Sequence, residues 1–128
     1  RSSVSYTDYR GVAQSGRHRT SAVDLAEFAQ KLYELYNANP TTYQPLIDDL
    51  SNTEYSWGVS AGVSSESVVA HKVGFNSAYG VNNDVAIVFG IEDYALCIMT
   101  ETGDDATAKA NIKDLAAMID AFIISCNR

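Results

Sequence analysis

The sequence has little that would commit it to a metal, a nucleic acid or a membrane. It holds two cysteines, Cys97 and Cys126, and two histidines, His18 and His71. No C-x-x-C pattern occurs, and a metal site would need more ligands, so neither a metal nor a cofactor is expected. Two buried free thiols are the expected state of the cysteines, with a Cys97–Cys126 disulfide as the alternative. Basic residues number 9 against 16 acids, for a net charge of −7. Such a surface repels a phosphate backbone, which argues against a nucleic-acid partner. The one basic patch, Arg10 with the run Arg17-His18-Arg19, reads as a solvated loop. No apolar run approaches the length of a membrane span. There is no initiator Met and no signal-peptide pattern. Arg1-Ser2-Ser3-Val4 reads as a cut inside a longer protein or as a mature terminus, so a removed targeting segment stays open.

What is present suits one globular core. The 128 residues are 46% hydrophobic and 20% charged. Residues 1–20 are polar, with Gly11 and Gly16, and read as a loop. Thr20 or Ser21 can cap a helix whose stripe runs through Leu25, Phe28, Ala29, Leu32, Tyr33, Leu35 and Tyr36. A short second helix is expected over Tyr43–Leu50, with Pro45 in its first turn. Tyr33, Tyr36, Tyr43 and Tyr55 are expected to pack helices. Residues 51–67 read as loop, anchored by Trp57. Three nearly continuous apolar segments follow: Val68–Gly74, Asp84–Gly90 and Tyr94–Glu101. Continuous apolarity is the mark of a sheet covered on both faces. The segment Gly90-Ile91-Glu92-Asp93 reads as a tight hairpin. A final helix, begun by Asp104 or Asp105, covers one face with Ile112, Leu115, Ala116, Ile119, Phe122 and Ile123. The expected fold class is α/β (α+β), an antiparallel three-stranded meander packed against helices.

One segment carries chemistry. His71-Lys72-Val73-Gly74 lies within the first apolar strand. Lys72 is a fixed cation on a rigid element, and Gly74 allows close approach to the backbone. A solvent-facing lysine guarding a sheet edge is the simpler reading of Lys72. Phe75 could serve the site or the core. His71 should face away from Lys72 and pack rather than act as a base. Asn83 and Asp84 are expected to fix the turn before the second strand. Tyr79 can line the mouth of the site or pack in the turn.

Joined in order, these words resemble the C-terminal half of the serine β-lactamase and penicillin-binding protein family, nearest class A, over about residues 18–125. Thr20-Ser21-Ala22-Val23-Asp24-Leu25-Ala26 resembles the helix start after that family's omega loop. Val69-Ala70-His71-Lys72-Val73-Gly74 resembles its Lys-Thr-Gly strand. Tyr79-Gly80-Val81-Asn82-Asn83-Asp84-Val85-Ala86 resembles its Tyr-Gly-x-x-Asn-Asp-Ile-Ala turn and strand. The resemblance implies an incomplete fold, with residues 1–19 as the end of an omega loop and 20–128 as the C-terminal portion.

It also implies substrate contacts at Lys72, Val73, Gly74 and Phe75, whose N–H would form half an oxyanion hole. No catalytic residue is expected in this chain. The family nucleophile sits in Ser-x-x-Lys, and no serine here has a lysine three positions later. Ser125-Cys126-Asn127 matches the second motif, Ser-x-Asn, by chance at the tail. The omega-loop glutamate is missing too, Asp8 being the only acid of residues 1–16. Val73 cannot supply the family's hydroxyl to a substrate carboxylate, a loss of about 1–2 kcal/mol.

The expected whole is therefore a bacterial, extracellular or cell-envelope serine hydrolase acting on a β-lactam, peptide or ester carbonyl. Its partners would be the missing N-terminal half and a small-molecule or peptidoglycan-like substrate, with self-association of the fragment as a further expectation. The alternatives are a non-catalytic binding module retaining the fold, and a D-alanyl-D-alanine carboxypeptidase or transpeptidase relative.

Overall fold

The computed structural model describes residues 4–8, 10–16 and 20–128. The basic run Arg17-His18-Arg19 lies outside these residues. Where a loop was expected, strands β1 (Val4–Thr7) and β2 (Ala13–Gly16) form an antiparallel hairpin. Apolar periodicity could not reveal it, because a side chain closes it. Asp8 accepts from the backbone N–H groups of Arg10 (2.9 Å) and Val12 (3.0 Å). The Arg10 guanidinium, 2.8 Å away, is the largest influence holding the Asp8 carboxyl below its ordinary range.

Helix α1 (Ala22–Ala38) starts at Ser21, whose hydroxyl accepts from the Asp24 N–H at 3.1 Å. Helix α2 spans Pro40–Ser51, longer than the spacing suggested. Asn39 ends α1 and caps α2, and Pro40 occupies the first position, where its missing N–H costs nothing. Pro45 therefore lies inside α2, not in its first turn. A short helix α3 (Val59–Gly62) precedes the sheet. Strands β3 (Val68–Asn76), β4 (Val81–Phe89) and β5 (Tyr94–Glu101) form the antiparallel meander in the order β3-β4-β5. Gly80 makes the turn into β4 at φ +63°, a conformation that side chains resist. Helix α4 (Asp105–Cys126) is capped by Asp104.

The sheet is covered on both faces, as its apolar strands require. Ala70 and Ile87 pack with Ala29 and Ile47 against α1 and α2. Val69, Ala86, Val88 and Ile98 pack with Val59, Ile112 and Ala116 on the side of α3 and α4. Trp57 joins this second cluster as its expected anchor, while Tyr33 and Tyr36 meet the Phe89 ring in the first. Both cysteines are free. Cys97 is half-buried and Cys126 is exposed, so the expected burial of both thiols does not hold. Among the described residues, no helix is long and apolar enough to cross a membrane.

Ile112 is fully buried at the centre of the α4 contact. Ile112→Ala is expected to lower the unfolding free energy by about 2–5 kcal/mol, read as a lower denaturant midpoint at unchanged slope.

Candidate functional site

Among the described residues β3 pairs only with β4, so no described strand lies along its other edge. Along it the side chains alternate. Lys72 and Gly74 fall on the face of α1 and α2, and His71, Val73 and Phe75 on the face of α3 and α4. Lys72 is exposed, and its Nζ donates to its neighbour's carbonyl, Val73 O, at 2.7 Å. Val73 is buried. A Cβ placed on Gly74 would meet no atom within 4 Å, so no packing among the described residues requires glycine there. Phe75 is 49% exposed and is not a core residue; its ring meets Tyr55 edge-on at 5.3 Å. Tyr55 thus packs against this strand's tip.

Behind the strand lies a buried polar network. Asp84 is fully buried, and His71 is only 4% exposed. His71 Nδ1 lies 3.0 Å from Asp84 Oδ1, and Nε2 lies 3.1 Å from the Thr53 hydroxyl oxygen. The Val59 N–H donates to Asp84 Oδ2 at 2.8 Å. A Cβ on Gly58 would overlap the Asp84 carboxylate, so only glycine lets the loop approach. His71 is a packed residue with both ring nitrogens engaged. A carboxylate this deep needs such partners, because an unpaired buried charge costs several kcal/mol.

Asn83 and Asp84 are not turn residues. The β4 ladder runs back to Val81, paired with both Asn76 and Glu101, which places both residues inside the strand. Asn83 instead accepts the Thr100 N–H across to β5 at 3.1 Å. Tyr79 is half-buried in the turn between β3 and β4. Sequence reasoning missed Thr53 and Gly58. One signal was present: an aspartate in an apolar strand needs a partner, and His71 was a polar residue in an adjoining apolar strand.

A second buried carboxylate, Asp120, accepts from the Tyr94 hydroxyl (2.9 Å) and the Ser64 N–H (2.8 Å). Burial first, then this hydrogen bond and the Asp120 charge, push the Tyr94 hydroxyl well above its ordinary range. Burial, and then the charge of Asp84, raise the Cys97 thiol. No group of three or more potential metal ligands occurs among the described residues.

Comparison with known proteins places this arrangement. A model of the "Beta-lactamase enzyme family" matches residues 2–123. No curated protein matches the chain. Among solved structures, PBP-A is similar at TM-score 0.69 and 21% identity, over 92% of this chain and 43% of that one. A mutant of PBP-A in an acyl-enzyme complex with penicillin G is similar at TM-score 0.70 and 21% identity, with the same coverage. The β-lactamase from Streptomyces albus G is similar at TM-score 0.62 and 21% identity, over 78% of this chain and 40% of that one. The chain thus spans less than half the length of these structures.

Asp84→Ala is expected to cost about 3–5 kcal/mol of stability, because it strands His71 and the Val59 N–H. Asp84→Asn, which can serve both partners, should cost less than half as much, and equilibrium unfolding measures the difference. Alkylation by iodoacetamide at neutral pH, followed by mass spectrometry, should modify the exposed Cys126 well before Cys97, whose thiolate is disfavoured.

Proposed function

Because the chain belongs to the β-lactamase enzyme family, we propose that it is one wall of a serine hydrolase site acting on a β-lactam, peptide or ester carbonyl, with the nucleophile outside residues 1–128. One observation carries this reading. Among the described residues, the Lys72-Val73-Gly74 segment lies on a sheet-edge strand, with a glycine that no packing requires. In this reading the Lys72 ammonium leaves the Val73 carbonyl to hold a substrate carboxylate and to raise the potential at the nucleophile. Gly74 lets the substrate lie close along the strand. The Phe75 N–H supplies half of the oxyanion hole. The rest of the parent domain brings the serine, and residues 1–128 alone are inactive. Export to the cell envelope or beyond belongs to the same reading.

A non-catalytic binding module is the second reading. It is favoured by the state of Asp8, the one acid of residues 1–16. Its carboxylate is taken up by Arg10, Val12 and Gln14, so it is not free to activate a water. The same observation, together with the similarity to the acyl-enzyme complex of a PBP-A mutant, fits a carboxypeptidase-like relative that acylates and deacylates slowly.

Labelling of the full-length parent separates these readings. A fluorescent penicillin or a fluorophosphonate is expected to form a covalent adduct that persists for hours. Lys72→Met should slow its formation by about 100-fold. Uptake of neither reagent would leave the binding module standing, and rapid turnover of the penicillin would point to a deacylating base elsewhere.

A further inference from the structure

A second cleft lies at the other end of β3 from the Lys72 segment. It has a volume of about 770 Å³ and opens between α1, α2, α3 and the start of β3. Val68 and Val69 line it, so it sits about 13 Å along the strand from Lys72. The proposed hydrolase chemistry makes no use of it.

One wall of the cleft is a chain of hydrogen bonds. The Tyr36 hydroxyl donates to Gln44 Oε1 at 2.8 Å, and Gln44 Nε2 donates to Asp48 Oδ1 at 2.8 Å. Each group keeps capacity to spare. The Tyr36 oxygen can still accept, and the second Gln44 N–H can still donate. Asp48 is exposed, and its Oδ2 has no partner among the described residues. Five serines add hydroxyls to the lining: Ser51, Ser60, Ser64, Ser65 and Ser67. The Ser65 and Ser67 hydroxyls make no hydrogen bond among the described residues. Ser64 Oγ accepts from the Glu66 N–H and keeps its own proton to donate.

The floor is apolar. Ile47 and Val69 are buried there, and Phe89 meets the Tyr36 ring edge-on with centroids 5.8 Å apart. The lining contains no lysine, arginine or histidine. An anion would therefore meet the Asp48 charge with no cation beside it. A wholly apolar ligand would cover hydroxyls and a carboxylate without bonding them, which is costly. A molecule with many hydroxyls and one apolar face satisfies both surfaces. Its hydroxyls donate to Asp48 Oδ2 and exchange bonds with Gln44 and the serines, while its C–H face lies on the floor.

We propose that this cleft binds a neutral sugar of disaccharide size, with Tyr36, Gln44 and Asp48 reading its hydroxyls. The site is separate from the Lys72 segment and stands whether or not the parent is a hydrolase.

Titration of the isotope-labelled chain with N,N′-diacetylchitobiose, followed by NMR, should give saturable shifts at the amides of Gln44 and Ser67. Asp48→Asn keeps an oxygen for Gln44 but trades a charged acceptor for a neutral one, and should weaken binding about tenfold. Tyr36→Phe should weaken it about threefold. Lys113→Met, at an exposed lysine of α4, should bind as the parent chain does. Glucuronate should bind less tightly than glucose. The absence of a saturable shift up to the solubility of the disaccharide overturns the proposal. So does unchanged affinity in both Asp48→Asn and Tyr36→Phe, each folded by circular dichroism. Glucuronate binding as tightly as glucose, or cyclohexanol giving the same shifts as the sugar, also overturns it. Shifts centred on Lys72 and Gly74 would put the sugar on the substrate strand and remove the cleft as its site.

Discussion

The contact between His71 and Asp84 is the constraint on which the candidate site depends. It puts a carboxylate with no solvent exposure between two strands and a loop. Burying that charge is costly, so its partners cannot drift without a large penalty. The imidazole fixes the register face of β3 against β4. The Val59 N–H fixes the start of α3, and the imidazole's far nitrogen reaches Thr53 at the end of α2. Lys72 is the next residue along the same strand. Its position is thus set from behind by a neighbour that takes no part in the proposed chemistry.

Asp120 plays the matching role at the other end of α3. It accepts the Ser64 N–H and the Tyr94 hydroxyl, joining α4, β5 and the segment after α3. A helix as short as Val59–Gly62 has little stability of its own. Two buried carboxylates, one receiving an N–H at its start and one just beyond its end, supply what its length does not. The apolar clusters on the two sheet faces then give the bulk of the stabilisation, and the polar contacts give the geometry.

The strands were legible because a doubly covered sheet demands nearly continuous apolar segments, and Val68–Gly74, Asp84–Gly90 and Tyr94–Glu101 show them. The long helices were legible from their stripes and their caps at Ser21 and Asp104. The β1–β2 hairpin was not, since its strands bury little and its turn is held by the Asp8 carboxylate. The extent of α2 was hidden because Asn39 serves two helices at once. Asn83 and Asp84 looked like turn formers by residue type. The ladder to β5, a tertiary matter, drew them into a strand. Lys72 and Gly74 could be picked out because a cation and a glycine interrupt an apolar run.

The sequence by itself therefore determined the two-faced sheet, its flanking helices, the family resemblance and the segment bearing Lys72 and Gly74. All of these follow from periodicity or from words of adjacent residues. Only the tertiary structure decided that His71 closes on Asp84 and Thr53, that Gly58 makes room for a carboxylate, and that Lys109 stands over Trp57 and Phe75. Those contacts join residues far apart in the chain. Which of them meet depends on strand register and on the seating of α3 and α4, and side-chain spacing along one segment carries neither.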